Sequence, residues 1–394
     1  MKIAFLVPDN RDEFRRYSDP EPYFGPAPSA LLSGLEAMPE CEIHIVCCSH
    51  FPMSAPAKLA RNIYFHLLLV PKIGWLRGVY LGCTRAIRRK LLEIKPDVVH
   101  GQGTERYCAL AAVHSGFPNV LTIHGNMREI ANVNRARPFS FLWLAAFLET
   151  WALARTWGVF CNSVYTRQLV MPLARTTWMV PNALREVFFS PLQGDLDSPP
   201  VLLNVGVITP RKAQNELLAL AARLHQQEVR FQLQFIGELD ERTAYGAEFR
   251  SRINQAQQQG FASYLGQMSE GDLAQKMDRA AGLIHIPKEE AFGLVVAEGL
   301  SRNLKLFGTK VGGIIDIAEG VDGAELFQLG DTASLEASIL KWLSIGAPKI
   351  KNGAKAICER YHPSVIARKH FEIYHQVVNG CLQKPGSFDA RARG

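Results

Sequence analysis

The sequence has no hydrophobic run long enough to cross a membrane, no Cys-x-x-Cys pair and no repeat at solenoid spacing. Its longest apolar stretch, residues 139–148, ends at Glu149 and falls well short of the ~20 residues that a bilayer requires. The eight cysteines include no Cys-x-x-Cys, which argues against a zinc ribbon or a thioredoxin-like site and favours reduced thiols. Residues 1–8 are too short for the core of a signal peptide. We therefore expect a cytoplasmic protein without a transmembrane helix.

The sequence does contain a regular alternation of short apolar runs and helical patterns over its 394 residues, of which 47% are hydrophobic and 21% charged. The apolar runs predict strands at residues 3–7, 43–47, 64–70, 98–100, 120–124, 159–162, 178–180, 201–205, 231–236, 263–265, 283–286, 304–307 and 325–328. Strands that alternate with helices indicate parallel sheets covered on both sides. The predicted fold class is α/β, with two doubly wound Rossmann-like domains and a cleft at the carboxyl ends of their strands.

The division between the domains is expected in the polar, proline-rich sequence SPLQGDLDSPP of residues 190–200. We expect an N-terminal domain over residues 1–188, a linker over 189–200 and a C-terminal domain over 201–365. Residues 366–382 predict a helix that packs back towards the N-terminal domain. Residues 383–394 are polar and predict a loose tail.

Positive charge is concentrated in one segment of a chain whose net charge is +7 and whose pI is near 9.0. Between residues 72 and 95 a single acid, Glu93, stands among seven basic residues: Lys72, Arg77, Arg85, Arg88, Arg89, Lys90 and Lys95. Three interpretations remain open, namely a solvated helix face, a patch for anionic lipid and a patch for nucleic acid. No nucleic-acid motif accompanies the charge, and we expect no nucleic-acid partner.

Aromatic residues are concentrated beside Arg135 and Arg137. The group comprises Phe139, Phe141, Trp143, Phe147, Trp151 and Trp157. The helical spacing of Trp143, Phe147 and Trp151 favours core packing. The alternative is a surface that rests in a lipid headgroup layer.

The most informative segment for chemistry runs from residue 284 to residue 298, with the sequence IHIPKEEAFGLVVAE. A buried strand is expected to end near Pro287 and a helix to start near Gly293. The backbone N–H groups of residues 292–294 (Phe292, Gly293 and Leu294) would then form a helix N-terminus that can hold an anion. Glu290 in the loop and Glu298 on the helix can both face a ligand there, although surface-exposed acids remain the simpler alternative.

The pattern Glu-x7-Glu around Phe-Gly-Leu resembles the signature of the family 4 retaining glycosyltransferases of the GT-B fold. Other segments resemble that family in the same order along the chain, and together they cover nearly all of it. They are Pro96-Asp-Val-Val-His100, Val120-Leu-Thr-Ile-His-Gly125, Val180-Pro-Asn182, Asn204-Val-Gly-Val-Ile-Thr-Pro-Arg-Lys212, Phe235-Ile-Gly237, Leu265-Gly266 and Val311-Gly-Gly-Ile-Ile-Asp316. The sequence departs from the family at Val207, where an arginine is usual, at Ala213, where a glycine is usual, and at Pro26, which follows Gly25 in place of a second glycine.

The resemblance implies specific roles for residues on the donor side. Lys212, Arg211 and the helix start at residues 292–294 would stabilise the diphosphate, and Gly25 would lie near it. Glu298 would bind the nucleotide ribose and Glu290 the hydroxyls of the sugar. Met268 would lie against the base.

His124 would contact the sugar from the acceptor-side domain, although a hydrogen-bonded structural histidine is the alternative at the end of a buried strand. His100 and His285 are interpreted as structural.

The activity implied by the resemblance is retaining transfer of a sugar from a nucleotide diphosphate-sugar to an acceptor hydroxyl. The N-terminal domain would bind a glycan or lipid-linked acceptor, and the C-terminal domain the donor. No cofactor and no divalent metal are expected, because cationic side chains and a helix terminus would neutralise the leaving diphosphate. The expected location is the cytoplasm, with peripheral contact to an anionic membrane face as an open alternative. A nucleotide-sugar epimerase of the same fold and a non-catalytic nucleotide-sugar binding subunit are the competing functions.

Overall fold

A computed structural model describes residues 1–383 of the protein. It contains two largely parallel sheets, each in its own compact unit, and these account for the alternation of strands and helices expected from the sequence. The first unit comprises Met1–Ala183 together with the C-terminal helix that begins at Pro363. The second unit comprises Leu184–His362. Both units are Rossmann-like, and the fold class is that expected from the sequence.

The first unit is built on an eight-stranded sheet with the order β3-β4-β2-β1-β5-β6-β7-β8. All neighbouring strands are parallel except β3, which is antiparallel to β4. The strands are β1 (Lys2–Leu6), β2 (Glu42–Ser49), β3 (Lys58–Ala60), β4 (Ile63–Leu69), β5 (Val98–Gln102), β6 (Asn119–Ile123), β7 (Gly158–Cys161) and β8 (Thr177–Met179). The helices are α1 (Asn10–Glu13), α2 (Pro26–Glu36), α3 (Leu81–Ile94), α4 (Tyr107–Val113), α5 (Met127–Val133), α6 (Phe141–Leu153) and α7 (Val164–Val170), with short 3-10 turns at Lys72–Gly74 and Leu76–Gly78.

The second unit has a six-stranded sheet with the order β11-β10-β9-β12-β13-β14, in which all neighbours are parallel. Its strands are β9 (Val201–Val205), β10 (Gln232–Ile236), β11 (Ala262–Tyr264), β12 (Gly282–His285), β13 (Lys305–Thr309) and β14 (Ala324–Phe327). Its helices are α8 (Gln214–Gln226), α9 (Ala244–Gln258), α10 (Glu270–Arg279), α11 (Leu294–Ser301), α12 (Ile314–Ala318), α13 (Thr332–Ser344) and α14 (Gly353–Tyr361), preceded by a 3-10 turn at Glu186–Phe189.

Each sheet is apolar on both faces, which explains the continuous hydrophobic runs in the sequence. In β1, Ile3 and Phe5 join the core that packs against α2, whereas Ala4 and Leu6 join the core on the opposite side, with α3, α4 and α6. In β9, Leu202 and Leu203 likewise face two separate cores. All thirteen predicted strands are present with ends that shift by at most two residues. The additional strand, β3, was not predicted, because its three residues are mostly exposed and antiparallel at the sheet edge.

The first unit ends at Ala183 rather than at residue 188, and the linker expected over residues 189–200 is a packed part of the second unit, which begins at Leu184. Leu184 and Phe188 are fully buried in a core of the second unit. Arg302, itself buried and ion-paired with Asp278, donates hydrogen bonds to the carbonyls of Phe188, Ser190 and Pro191. The polar segment of residues 190–200 is therefore held to the second unit by hydrogen bonds. The division between the two units falls at Ala183.

The C-terminal helix α15 (Pro363–Gln383) begins three residues before its predicted start and packs against α2 in the first unit. Its Ile366, Ala367, Tyr374 and Val377 are buried in the core that also contains Phe5. The second unit accordingly ends at His362 rather than at residue 365. The tail predicted for residues 383–394 lies, beyond Gln383, outside the described residues.

The aromatic residues around α6 correct a second expectation. Trp151 is only partly exposed and packs against the core with α4, but Trp143 and Phe147 are exposed to solvent. Core packing was therefore the wrong interpretation for two of the three residues, because the helix turns its alanines and leucines inward instead. None of the helices formed by residues 1–383 combines the length and the apolar character that crossing a membrane would need.

Candidate active site

The loop between β12 and α11 presents the Glu-x7-Glu segment at the carboxyl end of the second sheet. β12 ends at His285 and α11 begins at Leu294, with Gly293 before it in a left-handed conformation at φ 101°. Glycine adopts this conformation without a steric penalty, so the chain can turn sharply into the helix. The first N–H groups of a helix have no partner within it, and here they face the loop end. The structure thus has the strand–loop–helix arrangement that the sequence predicted.

Glu290 is the centre of a partly buried polar cluster. Its Oε2 forms an ion pair with Lys212 and lies 3.2 Å from Nε2 of His285. Burial raises the pKa of Glu290, but the hydrogen bond from His285 and the charge of Lys212 outweigh it and bring the pKa down to about 2. Glu290 is therefore an anion at neutral pH. His285, which the sequence assigned to structure, belongs to this cluster, and burial together with Lys212 lowers its pKa.

The loop between β9 and α8 contributes the cations. The backbone N–H of Lys288 donates to the carbonyl of Arg211 at 2.8 Å and joins this loop to the Glu290 loop. Lys212 points to Glu290, whereas Arg211 is exposed and pairs with Glu289 at 3.1 Å. The structure therefore brings Lys212 into the cluster and leaves Arg211 at its rim.

Two of the sequence departures lie in this same loop. Val207, at the position where the family usually has arginine, is exposed and carries no charge into the loop. Ala213 precedes α8 with a positive φ of 58°, a conformation that favours glycine. The glycine that is usual in the family at this position thus has a plain conformational reason.

Glu298 is buried on α11 and has a partner that the sequence did not reveal. Its Oε1 accepts a hydrogen bond from Nη2 of Arg185 at 2.6 Å, and Nη1 of Arg185 pairs with Glu270 at 2.9 Å. Burial raises the pKa of Glu298, and Arg185 only partly offsets that effect. Arg185 lies 113 positions away, in a segment that the sequence assigned to the N-terminal domain, so no local pattern could have indicated it.

Two glycines lie directly behind the Glu290 loop. A side chain at Gly312, which has a φ of 49°, would overlap with the carbonyl oxygen of Glu290. A side chain at Gly313 would meet the backbone of Ala291 and Phe292, and the N–H of Gly313 donates to the Glu290 carbonyl at 3.1 Å. The Gly-Gly sequence is therefore required for a close approach of two backbones, and it sets the position of the loop.

The remaining donor-side candidates are not part of the charged cluster. Phe292 is buried, and Met268 and Leu294 pack partly buried against the same core. Gly25 lies in the first unit, where it precedes α2 with a φ of 84°. Pro26, the first residue of that helix, has no N–H to offer to an anion.

His124 follows β6 in the first unit and is held by other side chains. Its Nε2 lies 2.9 Å from Oε1 of Gln102, and Asn182 also hydrogen-bonds its side chain. Burial lowers the pKa of His124 to about 4, so the ring is neutral near pH 7. These hydrogen bonds are consistent with a structural role for His124. Its contact with a sugar stays a prediction.

A buried chain of polar groups continues from His124 towards α15. The Gln102 amide nitrogen is 3.0 Å and 3.2 Å from the two ring nitrogens of His100, which places it over the ring face. In the ring plane, His100 contacts Thr122 Oγ1 at 2.7 Å and the Tyr374 hydroxyl at 2.6 Å. His100 is therefore structural, as the sequence indicated, and it ties the C-terminal helix to the strands beneath His124.

The described residues contain no group of three or more His, Cys, Asp or Glu side chains placed to hold a metal ion. The sequence contains one Asp-x-Asp triplet, Asp195-Leu-Asp197, a pattern that can bind a divalent cation. The expectation of a metal-free site overlooked this triplet. In the structure, Asp197 forms ion pairs with Lys276 at 3.2 Å and Arg279 at 2.6 Å. Its charge is therefore already neutralised by two side chains of the same unit.

Two family models match the chain, one in each unit. Residues 30–183 match the model described as Glycosyltransferase Family 4, and residues 192–356 match Glycosyl transferases group 1. A search of the curated proteins returned no relative that matches the sequence.

Many solved structures have the same fold at low sequence identity. Sucrose-phosphate synthase from Thermosynechococcus elongatus is 17% identical with a TM-score of 0.75, and the match covers 96% of this chain and 100% of that one. Anabaena HepE in complex with UDP-glucose is 17% identical with a TM-score of 0.69, over 95% and 100% of the two chains.

The lipopolysaccharide outer core galactosyltransferase WaaB is 16% identical with a TM-score of 0.65, also over 95% and 100%. Such likenesses concern the fold. Together with the two family models and the Glu-x7-Glu site, they lead to one conclusion: the chain belongs to the family 4 glycosyltransferases, which have the GT-B fold.

Proposed function

We propose that this glycosyltransferase moves a sugar from a nucleotide diphosphate-sugar to an acceptor hydroxyl with retention of the anomeric configuration. The observation that carries the proposal is the partly buried cluster of Glu290, Lys212 and His285 beside the start of α11. A carboxylate, a cation and helix N–H groups at the carboxyl end of a parallel sheet suit a ligand with both hydroxyls and phosphates.

The diphosphate would bind Lys212 and the N–H groups at the start of α11. Lys212 is paired with Glu290, so a donor phosphate would replace or share that partner. Arg211, exposed at the rim, would have to leave Glu289 to reach the phosphates. These charges would stabilise the leaving diphosphate without a divalent metal or a cofactor, since a preorganised positive site performs that task.

Glu290 would bind hydroxyls of the transferred sugar, and Glu298 the nucleotide ribose. Arg185 would hold the Glu298 carboxylate in place for that contact. Met268 against the base and His124 against the sugar remain predictions. For the chemistry we propose attack by the acceptor oxygen on the face of the departing phosphate: the new glycosidic bond forms as the bond to phosphate breaks, and a phosphate oxygen takes the acceptor proton.

The acceptor would be a glycan or a lipid-linked glycan. HepE was solved with UDP-glucose, and WaaB is named a lipopolysaccharide galactosyltransferase, which favours a UDP-sugar and glycan synthesis for this chain as well. The exposed Arg85, Arg88 and Arg89 on α3 favour peripheral contact with an anionic membrane surface in the cytoplasm.

The test is a panel of nucleotide-sugars, screened by thermal shift and followed by mass spectrometry of the products. We expect one nucleotide-sugar to stabilise the protein and to be consumed, at a rate that a saturating chelator leaves unchanged. A rate that only Mg²⁺ or Mn²⁺ restores would contradict the assignment of Lys212 and the helix start.

Lys212→Gln should abolish consumption, whereas Lys310→Gln, another lysine of the same unit, should not. Binding without any consumption would favour a non-catalytic binding subunit, for which the uncharged Val207 is the specific argument. Isomerisation of the nucleotide-sugar without an acceptor would indicate an epimerase.

A further inference from the structure

A stripe of aromatic side chains lies exposed along α6 and the turn before it. Phe139 is 88% exposed, Phe147 56%, Phe141 46% and Trp143 37%. We refer to these four residues as the aromatic stripe. The ring centres of Phe139 and Trp143 are 5.2 Å apart, and Trp143 and Phe147 stack at 6.1 Å with planes 8° apart. The rings of residues 139, 143 and 147 therefore form one continuous apolar ridge facing solvent, which is a feature of contact surfaces.

The stripe is distinctive within this molecule. In the described part of the chain, all exposed phenylalanine, tyrosine and tryptophan side chains lie in the first unit, and four of these seven residues form the stripe. The large hydrophobic residues exposed in the second unit are all aliphatic. Exposed aromatic side chains are thus concentrated in the aromatic stripe.

The charged side chains within the segment that carries the stripe are of one sign. Residues 130–148 contain two charged side chains, Arg135 and Arg137, and both are exposed. Arg135 and Phe139 have positive φ values of 46° and 63°, so the turn adopts conformations that are unfavourable for both residues. A turn that carries arginine and phenylalanine outward suits a surface that combines anionic groups with an apolar layer.

The basic helix lies on the same side of the sheet. α3 and α6 both pack against α4, and Ile87 of α3 shares a core with Leu148 of α6. The outward face of α3 carries three exposed arginines and two exposed leucines, Leu81 and Leu92. Its acid, Glu93, is paired with Lys90. One side of the first unit therefore presents aromatic, aliphatic and basic groups with little negative charge.

We propose that this side of the first unit docks on an anionic lipid bilayer, with the aromatic stripe inserted at the headgroup level. Phenylalanine and tryptophan are favourable at that depth, and the flanking arginines would bind lipid phosphates. A protein partner would have to match both an aromatic ridge and the arginines beside it. An anionic bilayer has an apolar layer for the ridge and phosphate groups for the arginines.

The geometry of α6 connects this surface to the carboxyl edge of the first sheet. Glu149, buried on α6, accepts a hydrogen bond from Thr104 after β5 and another from the N–H of Met127 after β6. His124 lies in the same β6–α5 connection. A bilayer in contact with the stripe would therefore lie next to α6, the helix that is fixed to the carboxyl edge of the first sheet. We infer from this position that the acceptor is a lipid-linked molecule, an assignment that rests on the proposed transferase function.

The experiment is flotation of the full chain with vesicles of roughly three parts phosphatidylcholine to one part phosphatidylglycerol, and with pure phosphatidylcholine vesicles. The stripe variant is Phe139→Asn with Phe147→Ser, since asparagine tolerates the left-handed backbone. The matched control is Leu329→Ser with Ile345→Ser, which removes two exposed apolar side chains of the second unit. Thermal unfolding and UDP calorimetry would show that both variants are folded.

We expect the wild type and the control to float with the anionic vesicles and the stripe variant to lose roughly tenfold or more in affinity. Arg135→Gln with Arg137→Gln should reduce the preference for anionic over neutral vesicles. Unchanged flotation of the stripe variant would overturn the proposal, as would a wild type that does not float. A wild-type dimer in ultracentrifugation that the stripe variant loses would identify a second copy as the occupant and would also overturn it.

The flotation assay requires no donor, so it separates the two proposals. Stripe-dependent flotation of a chain that consumes no nucleotide-sugar would contradict the proposed function alone. Transfer to a soluble acceptor by a chain that never floats would contradict the docking surface alone.

Discussion

At the residue scale, the two glutamates of the site have different partners, and this predicts different kinetic defects. Glu290 is ion-paired with Lys212 at the proposed sugar position, so Glu290→Gln should lower turnover by about 10²-fold with a smaller effect on nucleotide binding. Glu298→Gln should weaken binding of the free nucleotide and raise the donor KM more than it lowers turnover. Kinetics and calorimetry with the nucleotide check both outcomes, and Glu336→Gln, on the surface, serves as the control. The reverse pattern would mean that the two roles are exchanged.

A second residue-scale prediction concerns the alanine before α8. Because Ala213 has a φ of 58°, Ala213→Gly should stabilise the second unit by about 1 kcal/mol. Ala219→Gly, in the middle of the same helix, should destabilise it by about 0.5–1 kcal/mol. Urea unfolding of the two variants checks the opposite signs. If both changes destabilise equally, the left-handed conformation at residue 213 carries no strain.

At the scale of elements, the turn before α12 sets the position of the Glu290 loop. Gly312→Ala should displace that loop, because the new methyl group would overlap with the Glu290 carbonyl. We expect a loss of several kcal/mol in stability and of nucleotide binding. Gly320→Ala is the matched control, since Gly320 also has a positive φ, 70°, but no heavy atom within 4 Å of the added carbon. Equal effects of the two substitutions would show that backbone conformation, and not the close approach, is the constraint.

The buried histidines between the first sheet and α15 predict a response to acid. Burial lowers the pKa of His370 from 6.5 to about 4, so the unfolded chain binds a proton that the folded protein does not. Stability from this residue is complete above pH 6.5 and is lost as the pH falls towards 4, by roughly 3 kcal/mol at most. His370→Gln should therefore show a shallower fall in stability between pH 7 and 4.5. Urea titrations at several pH values measure the slope, and an identical slope would contradict the prediction.

At the scale of the whole molecule, the net charge of +7 predicts salt-dependent attraction to anionic surfaces. Arg85, Arg88 and Arg89 changed together to glutamine should weaken vesicle binding at low salt and flatten its salt dependence. The control changes Arg242, Arg250 and Arg252, which are paired with acids in the second unit. Flotation over a range of salt concentrations provides the measurement. Equal losses in the two variants would mean that only net charge matters and that α3 is an ordinary solvated face.

The elements of this molecule were predictable from the sequence because their signals are local. Parallel strands covered on both faces must be apolar along their length, so every one of them appears as a hydrophobic run. The exposed edge strand β3 has no such requirement, and it escaped prediction. The boundary at Ala183 escaped for a related reason: residues 190–200 look polar and irregular, yet buried Arg302 fixes the carbonyls of Phe188, Ser190 and Pro191 to the second unit.

The sequence by itself determined the two Rossmann-like units, the family and the loop with Glu290 and Glu298, because each follows from residues close together in the chain. Only the tertiary structure decided which charges meet. Glu290 pairs with Lys212 across 78 positions and Glu298 with Arg185 across 113, and such contacts depend on how strands lie side by side. The tertiary structure also decided that Phe147 faces water although its helical spacing favours a core. A helix that is apolar on every side offers several faces to a core, and packing against α4 and α5 selected the others.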